Sequence, residues 1–286
     1  MNAILITMSD LYFFPGKVCI ASIKKYCNNR IFVGDLGLSL ENKRYLNSLD
    51  KVEVISFPNE LKDIIQIDRW PVEYLIKYTS IWTMPKEFKR ILCLGSDMIV
   101  QKNLDELFEI DLENYAFAAS VENDGNTTRR FKLFTQLPAD RVYCNAETLL
   151  INREYIQEHY SLNEFFDMFK KYQQEYVFFD QDFINYCFYG KIKPISILYN
   201  FQISQTYKTE CFYDGLENAS IIHFSCVPKP WNYKCKPQWV KLYYDLINED
   251  DKKEIISVLY KSIIMRAPIV VAKFIRDIIR KLRRNY

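Results

Sequence analysis

Short apolar runs, each too brief for a helix, alternate along this chain with stretches of helical spacing. The runs are Ala3–Thr7, Arg30–Val33, Val52–Phe57, Arg90–Leu94, Tyr115–Val121, Cys144–Asn152, Ile192–Ile197 and Ile221–Phe224. Between and after them, Val18–Tyr26, Ser39–Ser48, Trp70–Trp82, Arg153–Tyr172, Asp180–Tyr189 and Pro237–Ile247 read as helices. A short continuous apolar run suits a strand buried on both faces, whereas a 3.6-residue period suits a helix with one buried stripe. Their alternation predicts an α/β fold, with a twisted, mainly parallel sheet flanked by helices. At 286 residues the chain has room for one large domain or at most two smaller ones, and it contains no internal repeat.

The segment Phe88 to Leu112 carries the first candidate site. Arg90–Leu94 is the buried run, and Asn103–Phe108 has the polar cap and acidic first turn of a helix start. Between them comes the polar break Gly95-Ser96-Asp97. A carboxylate at the end of a buried strand lies where open α/β sheets bind ligands, and its hard oxygens suit Mg²⁺ or Mn²⁺ held against phosphate. The plain alternative is a turn residue after a strand.

Composition excludes several classes. A net charge of +2 gives no global field for nucleic acid, so no nucleic-acid partner is expected. The 8 Cys include no C-x-x-C pair, which argues for reduced thiols and against a zinc site or disulfide framework. The N-terminus lacks the basic start of a signal peptide, and no apolar run approaches a membrane span. The expectation is a cytoplasmic protein. An aromatic content of 16% suits stacking surfaces for sugars or bases.

Leu94 to Val100, followed by Leu104, Glu106 and Leu107, resembles the DxD strand of the retaining glycosyltransferases grouped as family 8, which reads roughly L-D-A-D-T-I-V and then L-x-E-L. Further segments fit the same family, up to about Leu246. Ser9-Asp10-Leu11-Tyr12 resembles its D-D-N-Y loop against the donor's uracil, with Asp10 on the second acidic place. An Asp in such a loop can equally cap a helix. Lys77 falls where the family carries a basic residue that meets the diphosphate, with a solvated helix lysine as the alternative. Cys144 to Asn152 resembles F-N-x-G-x-x-L-I-N, so Asn145 is expected on donor sugar hydroxyls, and Asp124 or Glu122 upstream as an acid on the sugar. Asp180, Gln181, Asp182 and Asn185 fall on D-Q-D-x-L-N, whose first Asp and Gln line the reacting sugar. Alone, these polar residues could be a helix cap. Ile221 to Asn232 resembles H-F-x-G-x-x-K-P-W, which implies His223 on the metal and Lys229 on the β-phosphate. The other histidine, His159, sits among polar helix residues and is expected to be exposed.

The resemblance implies a GT-A (Rossmann-like) fold and transfer of a hexose, glucose or galactose, from a UDP-sugar to a glycan or lipid-linked glycan acceptor. It assigns Asp180 and Gln181 to catalysis. Asp10, Lys77, Ser96, Asp124, Asn145, Asp182 and Lys229 are assigned to the donor, and Asp97 and His223 to Mn²⁺ or Mg²⁺. Three departures fall around that site: Gly95 replaces the first Asp of the pair, Glu147 replaces a Gly, and Cys226 replaces another. With only two protein ligands the metal is expected to bind weakly. A carboxylate at Glu147 could in principle replace the missing charge. The alternative function is a weak or inactive nucleotide-sugar-binding module that partners an active transferase. A nucleotidyltransferase would need a Gly-rich phosphate loop near the N-terminus, which is absent.

The expected division is a catalytic domain over 1–248 and a helical extension over 249–286. In Ile269–Tyr286, Val271, Phe274, Ile275, Ile278, Ile279 and Leu282 recur on one helical face, with Lys273, Arg276, Arg280, Lys281, Arg283 and Arg284 on the other side and at the end. Such a helix suits an anionic membrane surface, peripheral on the inner face of the plasma membrane, or equally a terminal helix docked on the core.

Overall fold

The computed structural model describes residues 1–62, 65, 71–122, 142–206 and 212–264. The chain divides into two compact units, Met1–His223 and Phe224–Tyr286. Among the described residues the first unit holds two sheets. The strands are β1 (Asn2–Met8), β2 (Arg30–Asp35), β3 (Val52–Ile55), β4 (Arg90–Gly95), β5 (Met98–Val100), β6 (Phe117–Val121), β7 (Cys144–Asn152), β8 (Ile192–Ile195), β9 (Phe201–Gln202) and β10 (Ile221–His223). A seven-stranded sheet has the order β3-β2-β1-β4-β7-β6-β8, and a three-stranded sheet the order β5-β10-β9. In the large sheet β7 runs antiparallel to β4 and to β6, and the other pairings are parallel. The sheet is therefore mixed and mainly parallel.

Alternate residues of the central strands feed two separate cores. On β1, Ala3 and Leu5 pack into one cluster, while Ile4, Ile6 and Met8 pack into the other. On β4, Ile91 and Cys93 face the first, and Leu92 and Leu94 the second. Side chains that alternate across a pleat need cover on both faces, which is why these runs are apolar throughout. Helices supply that cover. Phe13–Tyr26 buries Val18, Cys19, Ile20 and Ile23. Ile76–Thr83 buries Tyr78 and Ile81 on the opposite face.

The stretch Arg153–Tyr172 forms two helices, Arg153–His159 and Leu162–Tyr172. Ser161 begins the second with a reciprocal capping box to Glu164, a local signal strong enough to restart the helix. His159 is exposed and stacks on Tyr155. Before the central strand, a 3₁₀ turn, Val72–Leu75, precedes the helix Ile76–Thr83. Residues beyond Gly95 leave the large sheet, so β4 and β5 belong to different sheets, joined by the Ser96-Asp97 turn.

The second unit carries the helices Pro237–Leu246 and Glu249–Ile264. Tyr243 packs edge-on to Phe224 at 4.9 Å and against Trp231 at 5.5 Å. Among the described residues no helix is long and apolar enough to cross a membrane. Asp124, Trp70 and the Ile269–Tyr286 segment lie outside the described residues.

Candidate functional site

Register in the small sheet sets the first contact. β10 pairs antiparallel with β5 so that His223 lies opposite Met98, one residue beyond Asp97. The imidazole Nε2 stands 3.5 Å from Asp97 Oδ2, and both side chains are buried. The other ring nitrogen, Nδ1, lies 2.9 Å from Asn200 Oδ1. In that amide orientation Nδ1 carries a proton, and Nε2 is the ring nitrogen that faces the carboxylate.

Asn200 continues a polar chain. Its Nδ2 donates to Asn145 Oδ1 at 2.9 Å, and Asn145 Nδ2 donates to Glu122 Oε2 at 2.7 Å. Gln202 Nε2 donates to the other oxygen of Glu122 at 3.1 Å. Asn145 Oδ1 also accepts the backbone N–H of Glu147 at 2.9 Å. A buried network of this kind fixes each member's orientation, because every alternative rotamer orphans a polar group. Asn200, Gln202 and Tyr78 below were not assigned roles from the sequence. Asn200 lies in the stretch between β8 and β9, and its partners come from strands distant in sequence.

A cleft of about 190 Å³ opens in the first unit, lined among others by Thr7, Leu36, Tyr74, Lys77, Glu147 and Asp180. Lys77 forms an ion pair with Asp180, and its amine also donates to the Ala146 carbonyl at 3.2 Å. The Tyr78 hydroxyl donates to the same Asp180 oxygen at 3.0 Å. Burial alone would pull the Lys77 ammonium down. Asp180, and after it Glu147, outweigh that and hold it above the ordinary lysine value. For Glu147, burial pushes the carboxyl up, Lys77 pulls it back, and Asp97 adds to the rise.

Asp180 and Gln181 sit at the start of the helix Phe179–Cys187. Phe179 takes φ +44, a left-handed conformation rare for a bulky residue, and its ring packs edge-on to Tyr74. Gln181 Oε1 accepts the Ala146 N–H at 3.2 Å, so the helix start is fastened to β7. Asn185 strengthens that seam, accepting Cys144 N–H and donating to the Cys144 carbonyl, both at 2.7 Å.

Other expected site residues do different work. Asp182 is buried and does not join Asp180 at the cleft. One of its oxygens accepts from Tyr143 at 2.5 Å and the other from the N–H groups of Val177 and Phe178, so it shapes the loop before the helix. Asp10 is exposed, and its Oδ1 accepts from Ser39 N–H and Asn42 Nδ2, both at 2.8 Å, bracing the N-terminus of the helix Leu40–Asn47. Those hydrogen bonds hold its carboxyl below the usual value. Ser96 is buried in the turn before Asp97. In the second unit, Lys229 Nζ donates to the Phe224 carbonyl at 2.9 Å.

The pair Asp97 and His223 fits a hard or borderline divalent cation. Neighbouring donors around such an ion, each roughly 2.1–2.2 Å from it, lie about 3 Å apart. The 3.5 Å separation is close to that spacing, and the chemistry is one carboxylate oxygen and one imidazole nitrogen. Among the described residues no three His, Cys, Asp or Glu side chains form a closed metal cluster.

Three kinds of similarity bear on these residues. The family model of glycosyl transferase family 8 matches residues 3–235. An Acanthamoeba polyphaga mimivirus protein, R707, is 27% identical over 154 residues, covering 51% of this chain and 51% of its own length. The Streptococcus pneumoniae glycosyltransferases GlyB and GlyE are 26% and 32% identical over 61% and 50% of this chain. The matches span only 44% and 34% of those two proteins. The chain therefore spans about half or less of these relatives. Among solved structures, the galactosyltransferase LgtC in complex with donor and acceptor sugar analogues superimposes with a TM-score of 0.68 at 19% identity, over 89% of this chain and 100% of that one. GlyE superimposes at 0.64 with 19% identity, over 91% of this chain and 64% of that one. At such identities the likeness is one of fold: a mixed, mainly parallel α/β sheet of the GT-A type.

Proposed function

This chain belongs to glycosyl transferase family 8, and on that premise we propose that it transfers a hexose from a UDP-sugar to a glycan acceptor with retention of anomeric configuration. The observation that carries the reading is the convergence of Asp97 and His223 at the junction of the two sheets. Glucose or galactose is the sugar we favour, with cell-surface polysaccharide or lipopolysaccharide as the product.

In this reading Asp97 and His223 would hold Mn²⁺ or Mg²⁺, which when bound would supply Lewis-acid stabilisation to the diphosphate. Lys77, kept charged by Asp180, brings an ammonium to the cleft it lines with Glu147, where it would meet the negative charge that grows on the leaving phosphate. Asn145, fixed by Glu122 and Asn200, orients the donor's hydroxyls. Gln181 is neutral and tied to β7, so it orients the sugar without forming a covalent bond to it. The acceptor oxygen attacks the anomeric carbon on the face that the phosphate leaves. The C–O bond to phosphate breaks, the new glycosidic bond forms, and the acceptor's proton passes to the departing phosphate oxygen.

The test is hydrolysis of a panel of nucleotide sugars, with and without Mn²⁺. UDP-hexose is expected to be cleaved, and Asp97→Ala to lower that rate about a hundredfold or more. Binding of UDP-sugars with no turnover on any donor would identify a silent binding module and overturn the transferase reading.

A further inference from the structure

We propose that Glu147 on β7 supplies the third protein ligand of the divalent-cation site, in place of a carboxylate from position 95 on β4. This rests on the reading above and deepens it.

The argument begins with the ladder between the two strands. β4 and β7 pair antiparallel through Leu94 and Thr148, and the next step brings Gly95 opposite Glu147. Directly opposed residues project to the same face with their Cβ atoms about 4.5–5.5 Å apart. A long side chain on one strand can therefore cover a vacant position on the other. Glu147 does so: a Cβ built on Gly95 would meet Glu147 Oε2 at 2.6 Å and Asp97 Oδ1 at 2.9 Å. The space a residue-95 side chain would need is the space where the carboxylates of Glu147 and Asp97 already stand.

Two departures from the family pattern then become one exchange. An acidic residue at 95 needs a small residue opposite it, and the family has Gly there. Here the small residue is Gly95 and the acid is Glu147, so the carboxylate approaches the same point from the neighbouring strand. The donor set becomes Asp97, Glu147 and His223, two carboxylates and one imidazole, a combination suited to Mn²⁺. The three do not form a closed cluster as they stand. The Glu147 and Asp97 carboxylates nonetheless converge on one point, the place of a Cβ at residue 95, and His223 Nε2 lies 3.5 Å from Asp97 Oδ2.

A competing role for Glu147 is counter-charge to Lys77. That place is already taken by Asp180, which makes the direct ion pair, while the Lys77 amine also donates to Ala146. Glu147 acts on Lys77 through space.

The experiment is calorimetric titration of Mn²⁺ into the full chain with UDP present, backed by the Mn²⁺ spin-resonance signal, for wild type, Glu147→Gln, Gly95→Asp and the double variant Gly95→Asp/Glu147→Gly. Glu147→Gln keeps the shape and removes the charge, and is expected to weaken Mn²⁺ binding about tenfold or more. Gly95→Asp alone is expected to give no gain, because its side chain meets the Glu147 carboxylate. The double variant is expected to return to within a few-fold of wild type. Unchanged Mn²⁺ affinity in Glu147→Gln, or tighter binding in Gly95→Asp alone, would overturn the proposal and leave the transferase reading intact. Failure of the double variant to recover overturns it equally, and keeps the test open even if Glu147→Gln folds poorly. A wild-type chain that binds no Mn²⁺ with UDP defeats both.

Discussion

At the scale of single residues, the decisive atoms are those that hold others in place. Asn200 touches His223 and Asn145 at once, so it orients both the imidazole ring and the Asn145 amide. Outer partners of this kind commonly matter about 10–100-fold in metal affinity. Asn200→Ala is therefore expected to weaken Mn²⁺ binding in that range, while metal-free UDP binding stays unchanged. Asn200→Asp, which keeps an acceptor for Nδ1, is expected to restore most of it. A loss of thermal stability with no change in Mn²⁺ affinity would show Asn200 to be structural only. The resemblance pointed to Asp97 and His223, and it set Asp180 on catalysis and Asp182 on the donor; the two carboxylates in fact turn to different surroundings. Positions two apart on a helix project about 200° from each other. One of these carboxylates reaches Lys77 while the other turns back to the loop at Val177 and Phe178.

At the scale of elements, one device fixes the helix that carries Lys77 and another braces the end of β2. Arg153 is buried, and its guanidinium donates to the carbonyls of Ile81, Met84, Pro85 and Phe88, gathering the end of the helix Ile76–Thr83. That helix positions Lys77. Arg153→Met orphans those carbonyls and is expected to destabilise the fold by about 3 kcal/mol or more, read by denaturant unfolding. Arg153→Lys keeps the charge but not the fork, and should recover only part of the loss. A change under about 1 kcal/mol in Arg153→Met would mean that water satisfies the carbonyls instead. Asp35, at the end of β2, acts at lower pH. Burial raises its carboxyl, but the Lys43 ammonium and the N–H groups of Leu38 and Gly37 outweigh that, leaving it below the usual value. A depressed folded pKa adds stability above the unfolded value and loses it as pH falls through the folded one. The loss therefore lies below about pH 4, and Asp35→Asn is expected to flatten it. An acid-unfolding profile identical to wild type would rule Asp35 out as a contributor. The alternation of strands and helices was legible because period and burial coincide on β1 and β4. The antiparallel seating of β7 and the Arg153 clamp were not, since both depend on partners tens of residues away.

At the scale of the whole molecule, the remaining question is where the enzyme meets its acceptor. Ile269–Tyr286 carries Lys273, Arg276, Arg280, Lys281, Arg283 and Arg284 against a single acid, Asp277, with apolar residues at helical spacing between them. Each cation near an anionic leaflet contributes about 1 kcal/mol, and the apolar side chains add burial at the headgroup boundary. The sum suits reversible attachment, and a lipid-linked acceptor would make that attachment useful by confining enzyme and substrate to one surface. We therefore expect the full chain to co-sediment with vesicles containing anionic lipid, less so as salt rises. Truncation after Arg266 should abolish this while leaving donor hydrolysis in solution unchanged, because the proposed donor and metal residues all precede it. Equal sedimentation of the two forms would assign the segment a structural role and leave the acceptor to be met in solution.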